Sequence, residues 1–110
     1  MPLVVNKENY DAEVIQASSQ MPVMVDFWGP QCKPCMALMP SVEKLQEKYG
    51  DKIKITKLNP AEGNRMHCAK LRVMGLPTFL FYKNGAEVKR LTGEQISEKD
   101  IEEAIKSVIA

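Results

Sequence analysis

Two cysteines separated by two residues, Cys32-Lys33-Pro34-Cys35, are the part of this 110-residue sequence best suited to chemistry. Such a pair supports either reversible dithiol–disulfide exchange or half of a metal site. A zinc site would need His67 and Cys68 to complete four ligands, but side chains adjacent in sequence rarely aim at one ion. Three cysteines are also too few, and odd in number, for the disulfide framework of a small secreted scaffold. A disulfide here serves a reaction rather than a scaffold. The other group of interest is Asp26, the one charged residue in the apolar run from Val23 to Trp28. Sharing a face with Met24 and Trp28 desolvates its carboxylate and raises its pKa. The plainer reading of Asp26 is a buried polar group whose bonds are satisfied.

These residues need elements to hold them. Leu3-Val4-Val5 is a short apolar strand, followed by a weakly amphipathic helix from about Glu8 to Ala17. Val23 to Trp28 suits a central strand buried on both faces and is closed by Gly29-Pro30. From Cys35, apolar residues at Leu38, Met39, Val42, Leu45 and Tyr49 fall at helical spacing up to Gly50, with a kink expected at Pro40 rather than two helices. Ile53 to Leu58 alternates as a strand, and a short helix spans about Gly63 to Leu71. Thr78–Lys83 and Glu87–Thr92 flank Asn84-Gly85, a pair that tolerates the positive φ of a tight hairpin. Ser97 caps a last helix whose stripe is Ile101, Ala104, Ile105, Val108 and Ile109, with Ile96 stapled onto Ile101. The order β-α-β-α-β, then α-β-β-α, predicts a mixed sheet with helices on both faces in a single domain, residues 1–110.

That order carries strand 23–28 to Gly29-Pro30-Gln31 and starts a helix at Cys32, beyond the carboxyl end of a central strand, where open α/β sheets favour reaction sites. The free N–H groups and positive dipole end of a helix start stabilise a thiolate, which makes Cys32 the nucleophile. Cys35, three residues on, shares its side of the first turn but packs more deeply and is placed to resolve. Pro34 stiffens that turn at no hydrogen-bond cost.

The segment Val25-Asp26-Phe27-Trp28-Gly29-Pro30-Gln31-Cys32-Lys33-Pro34-Cys35 resembles the active-site segment of the thioredoxin family. Lys57 at the end of the third strand, Gly75-Leu76-Pro77-Thr78 as a cis-proline loop, and Lys83-Asn84-Gly85 with Gly93 extend the resemblance over essentially the whole chain, in order. The resemblance implies the thioredoxin fold, an α/β architecture with a central mixed five-stranded sheet flanked by four helices. It also implies a disulfide reductase. Cys32 attacks a target disulfide, Cys35 displaces the reduced target, Asp26 assists proton removal from Cys35, and Lys57 is the nearest partner of Asp26. Pro77 is implied to be cis, with Leu76 offering its backbone to an extended target segment, and with Trp28, Gly75 and Gly93 lining a shallow groove. No cofactor beyond the reversible Cys32–Cys35 disulfide is implied. The implied partners are disulfide-bearing target proteins and a reductase of unspecified type, with the protein acting as a monomer. A family member that kept its cysteines as a non-catalytic binding module is the alternative.

Two positions depart from the family pattern of Trp-Cys-Gly-Pro-Cys. Gln31 replaces an exposed tryptophan, removing apolar contact area for targets and for a reductase, and Lys33 sets a cation beside Cys32, which favours its thiolate. Cys68 and His67 are expected as packing residues, Met36 and Met39 as core filling, and Met74 as a soft contact for targets. Composition narrows the partners further. With 45% hydrophobic and 26% charged residues the chain is an ordinary globular one, and 15 basic against 14 acidic residues leave +1. No overall field draws it to nucleic acid or anionic lipid. No basic leader followed by an apolar run opens the sequence, and no stretch approaches the ~18 apolar residues of a membrane span, so a cytoplasmic protein is expected.

Overall fold

The computed structural model describes residues 2–110. Its element order is β1 (Leu3–Val4), α1 (Asp11–Gln16, continuing as a tighter turn over Ala17–Ser19), β2 (Val23–Phe27), α2 (Lys33–Tyr49), β3 (Lys54–Leu58), α3 (Arg65–Lys70), β4 (Thr78–Lys83), β5 (Ala86–Thr92) and α4 (Glu98–Ile109). Among the described residues the strands form one five-stranded sheet in the order β1-β3-β2-β4-β5. β1 and β2 run parallel to β3, whereas β4 is antiparallel to both β2 and β5. This is the thioredoxin-type mixed sheet with four helical segments.

Alternation along β2 sorts the interior into two layers. Met24 faces α2 and α4 in a core with Leu38, Val42, Leu45, Phe81 and Ile105. Val23, Val25 and Phe27 face the opposite way, into a core with Tyr10, Val14, Cys68 and Leu80. Asp26 belongs to the Met24 side of the strand, under α2. Every residue of β2 is buried, as its nearly unbroken apolar run requires of a central strand.

The helices form for local reasons as well. Ser97 caps α4 by accepting the Asp100 N–H, while the Asp100 carboxylate accepts the Ser97 N–H at 2.9 Å, a reciprocal box that fixes the start of the most amphipathic helix. Lys48 and Tyr49 of α2 both donate to Glu102 of α4, at 2.7 and 2.6 Å, joining the two helices at their solvent edge. α2 continues through Pro40 as one element.

Several boundaries differ from expectation. The first helix was expected from Glu8, but the Asn6 side chain accepts from the N–H groups of Glu8 and Asn9, and Asn9 returns a bond from Asn6 N–H, holding these residues in a turn. The helix then winds more widely than an α-helix over 11–16 and runs on to Ser19. There the Ser18 hydroxyl accepts the Gly85 N–H at 2.7 Å, docking the β4–β5 hairpin, whose Asn84 and Gly85 have φ of 54° and 83°. Ile53 precedes β3 because its N–H still serves the Tyr49 carbonyl at the end of α2. α3 is shorter than the expected 63–71, bounded by positive φ at Gly63 and Arg72. Among the described residues no helix is long and apolar enough to cross a membrane.

Candidate active site

β2 ends at Phe27, and the Trp28 N–H extends its pairing with β3 by donating to the Leu58 carbonyl. Gly29 is buried, and Leu76 Cδ1 lies 3.4 Å from where a Cβ would stand, so the 76–77 loop packs against the end of the strand. Cys32 is the N-cap of α2, with extended backbone, and Lys33 and Pro34 are its first two helical residues. Cys32 Sγ accepts the Cys35 N–H at 3.3 Å. The Cys32 carbonyl then starts the helical bonding by accepting from Met36. A side chain that caps a helix through sulfur is in the position where a negative charge is best tolerated.

The two cysteines are joined by a disulfide, with Cα atoms 5.3 Å apart. Cys32 is half-buried and Cys35 is 3% exposed, so an incoming group meets Cys32 first. Leu76-Pro77 is a cis peptide. The loop is tied on both sides: Thr78 Oγ1 donates to the Gly75 carbonyl at 2.7 Å, and the Gly93 N–H donates to the Pro77 carbonyl at 3.1 Å, with Gly93 at φ 114°. Between those ties, neither the N–H nor the carbonyl of Leu76 has a partner among the described residues.

Asp26 is 4% exposed. Burial pushes its pKa up to about 7, with the opposing attraction of Lys57, its register partner in β3, the smaller effect. A void of about 260 Å³ beside them is bounded by Met39, Val42 and Glu43 of α2. Lys57 turns its ammonium over the Trp28 ring, 5.1 Å from the centroid. Trp28 therefore links the end of β2 to the cation that faces the buried acid.

Gln31, Cys32 and Leu76 share a groove of about 470 Å³ with Asn59, Pro60 and Arg65. Gly75 and the 87% exposed Met74 line a second hollow of about 330 Å³ that continues from it across Arg65 and Leu76. Trp28, Lys33, Pro34, Pro77 and Gly93 lie outside the linings of both. Asn59, Pro60 and Arg65 were not singled out from the sequence. Their available signal was Pro60, which ends β3 beside the carboxyl edge of β2 and turns the next segment back over the cysteines.

Cys68 is buried, and the apolar surroundings raise its pKa. His67 packs edge-on against Tyr10 at 4.3 Å between ring centroids, and burial lowers its pKa. Among the described residues no cluster of three or more His, Cys, Asp or Glu could hold a metal ion.

A family model described as thioredoxin matches residues 1–107. A thioredoxin of Acetoanaerobium sticklandii is 36% identical over 104 residues, covering 94% of this chain and 96% of the relative. A thioredoxin of Peptoclostridium acidaminophilum is 35% identical over 101 residues, 92% of this chain and 89% of the relative. The chloroplastic M-type thioredoxin of Pisum sativum is 40% identical over 90 residues, 82% of this chain and 51% of that longer relative.

Proposed function

The chain belongs to the thioredoxin family and is a protein-disulfide reductase with a redox-active disulfide; from that premise we propose that Cys32 is its attacking thiol and Cys35 its resolving one. In the reduced protein the Cys32 thiolate attacks one sulfur of a target disulfide, forming a mixed disulfide and releasing the other target sulfur as a thiolate. Asp26 takes the proton of Cys35. The Cys35 thiolate then attacks Cys32 Sγ, the second target thiol departs, and the Cys32–Cys35 bond closes. Two electrons have passed to the target, and a reductase must return them. The observation that supports this division is the contrast at the start of α2: a half-exposed Cys32 whose sulfur accepts a helix N–H, beside a buried Cys35.

The substrate side of the site is the groove along Gln31, Gly75 and Leu76, whose loop turns at the cis bond to buried Pro77. The free backbone N–H and carbonyl of Leu76 suit an extended target segment, which would pair there as an added strand. Gly93 holds the Pro77 carbonyl and so positions that strand edge, Trp28 fixes Lys57 facing Asp26, Pro34 stiffens the turn, and Lys33 adds positive charge next to Cys32. The partners are disulfide-bearing proteins and a reductase whose type the groove leaves open, the protein acting as a one-domain monomer in the cytoplasm, where thiols are kept reduced.

Reduction of insulin disulfides with dithiothreitol as donor tests this reading. Turnover is expected from the native chain and lost in Cys32→Ser. Turnover indifferent to that change overturns the assignment and favours a non-catalytic binding role.

A further inference from the structure

Residues 28–36 and 57–77, the two stretches that supply the lining of the Cys32 groove, carry five cations, Lys33, Lys57, Arg65, Lys70 and Arg72, against one acid, Glu62. The chain as a whole is close to neutral at +1. Of these five only Arg65 lines the groove that holds Cys32. It occupies a central place there, because it also lines the hollow that continues toward Met74.

Several cations elsewhere in the molecule find carboxylates, whereas Lys52, Lys89, Lys99 and Lys106, like Arg65, pair with none among the described residues. Lys44 pairs with Glu98, Lys48 with Glu102, Lys54 with Glu13 and Arg90 with Glu87. Among the described residues no carboxylate pairs with Arg65, although Glu62 is only three residues away and lines neither part of the groove. An unpaired guanidinium at the wall of an otherwise mostly apolar groove offers a planar, forked donor to a carboxylate.

We propose that Arg65 is a specificity determinant that selects target disulfides whose cysteine is flanked by an acidic residue. The occupant is an extended polypeptide segment of the target, resting on Leu76 and Met74 with its sulfur at Cys32 and a Glu or Asp side chain directed at Arg65. The unpartnered backbone of Leu76 argues for a polypeptide rather than a free anion, and the shared lining of Arg65 and Cys32 argues that one segment reaches both. The inference rests on the dithiol reading of Cys32 and Cys35 and adds to it a charge preference in the substrate.

The test uses three synthetic disulfide-bridged peptides, identical except for Glu, Gln or Lys beside the cysteine, and the second-order rate at which the reduced full-length protein reduces each. Exposed charge pairs support a preference of about two- to fivefold for Glu over Gln, falling as salt is added. Arg65→Glu is expected to invert the ratio in favour of the Lys peptide, Arg65→Lys to keep its direction, and Lys106→Glu on α4, with the same change in net charge, to leave it. A native Glu-to-Gln ratio of one, a ratio that survives Arg65→Glu, or an equal loss in Lys106→Glu overturns the proposal. If the native protein reduces none of the three, the dithiol assignment itself has failed.

Discussion

The backbone N–H of Cys35 donates to the sulfur of Cys32 at 3.3 Å, so in the proposed reaction the resolving residue also stabilises the attacking sulfur. Replacing the Cys35 side chain leaves that amide in place. Cys35→Ser is thus expected to keep the first attack and lose the second, accumulating a covalent adduct with a target peptide, detected by non-reducing mass spectrometry. Cys32→Ser should give no adduct through Cys35 on the same timescale, because Cys35 is buried. Equal adduct formation by both variants would reverse the assigned roles.

Asp26 makes stability depend on pH. Its folded pKa of about 7 against an ordinary 3.8 makes the folded state the better proton binder between those values. The contribution is complete below pH 4 and is lost as pH rises through 7, up to about 4 kcal/mol in all. Asp26→Asn has no such loss, though its buried amide costs about 1–3 kcal/mol if unpaired. Urea unfolding of the oxidised protein should show the variant gaining on the native chain as pH goes from 4 to 8. A difference that does not change with pH contradicts the raised pKa. The variant should also lose any step near pH 7 in the rate at which the mixed disulfide resolves.

Lys33 is exposed on the first residue of α2, next to Cys32, and no carboxylate among the described residues pairs with it. Its charge favours the Cys32 thiolate, hence the reduced form, and a pair whose reduced form is stabilised is more oxidising. An exposed charge is worth about 0.2–1 kcal/mol, which for two electrons corresponds to about 5–20 mV. Equilibration with glutathione should place Lys33→Gly and Lys33→Gln below the native potential by that order. An equal or higher potential in both variants rules the effect out.

The hydroxyls of Tyr10 and Tyr82 meet at 2.8 Å in the core beneath α1 and β4. Removing either leaves the other buried without its partner, at a cost of about 1–3 kcal/mol, whereas removing both is close to neutral. In denaturant unfolding, each single Phe substitution should destabilise more than the double one. Additive losses would mean that each hydroxyl has another partner.

Periodicity was enough to find the elements that carry the site, because both β2 and α2 are decided by burial: one is apolar but for Asp26, the other has a single stripe. Asp26 stood out for the same reason, as a charge where the pattern demands none. The misplaced edges are those set by side chains bonding to backbone across a few residues, as at Asn6 and Asn9, or by amides shared between elements, as at Ile53. Arg65 was hidden differently. Along the chain it only interrupts a helical pattern, and its position in the groove arises when Pro60 and the positive φ at Gly63 fold the 59–64 turn back beside Cys32.

Trp28 is the only tryptophan in the sequence, and it is stacked under Lys57 at the end of the strand that leads to the cysteines. Its indole emission thus comes from one place in the molecule, against Lys57, the cation paired in register with the buried acid. The protein carries its own optical probe on the segment between Asp26 and Cys32, so a change of emission on reduction, or across pH 7, can be sought in the native chain without attaching a dye.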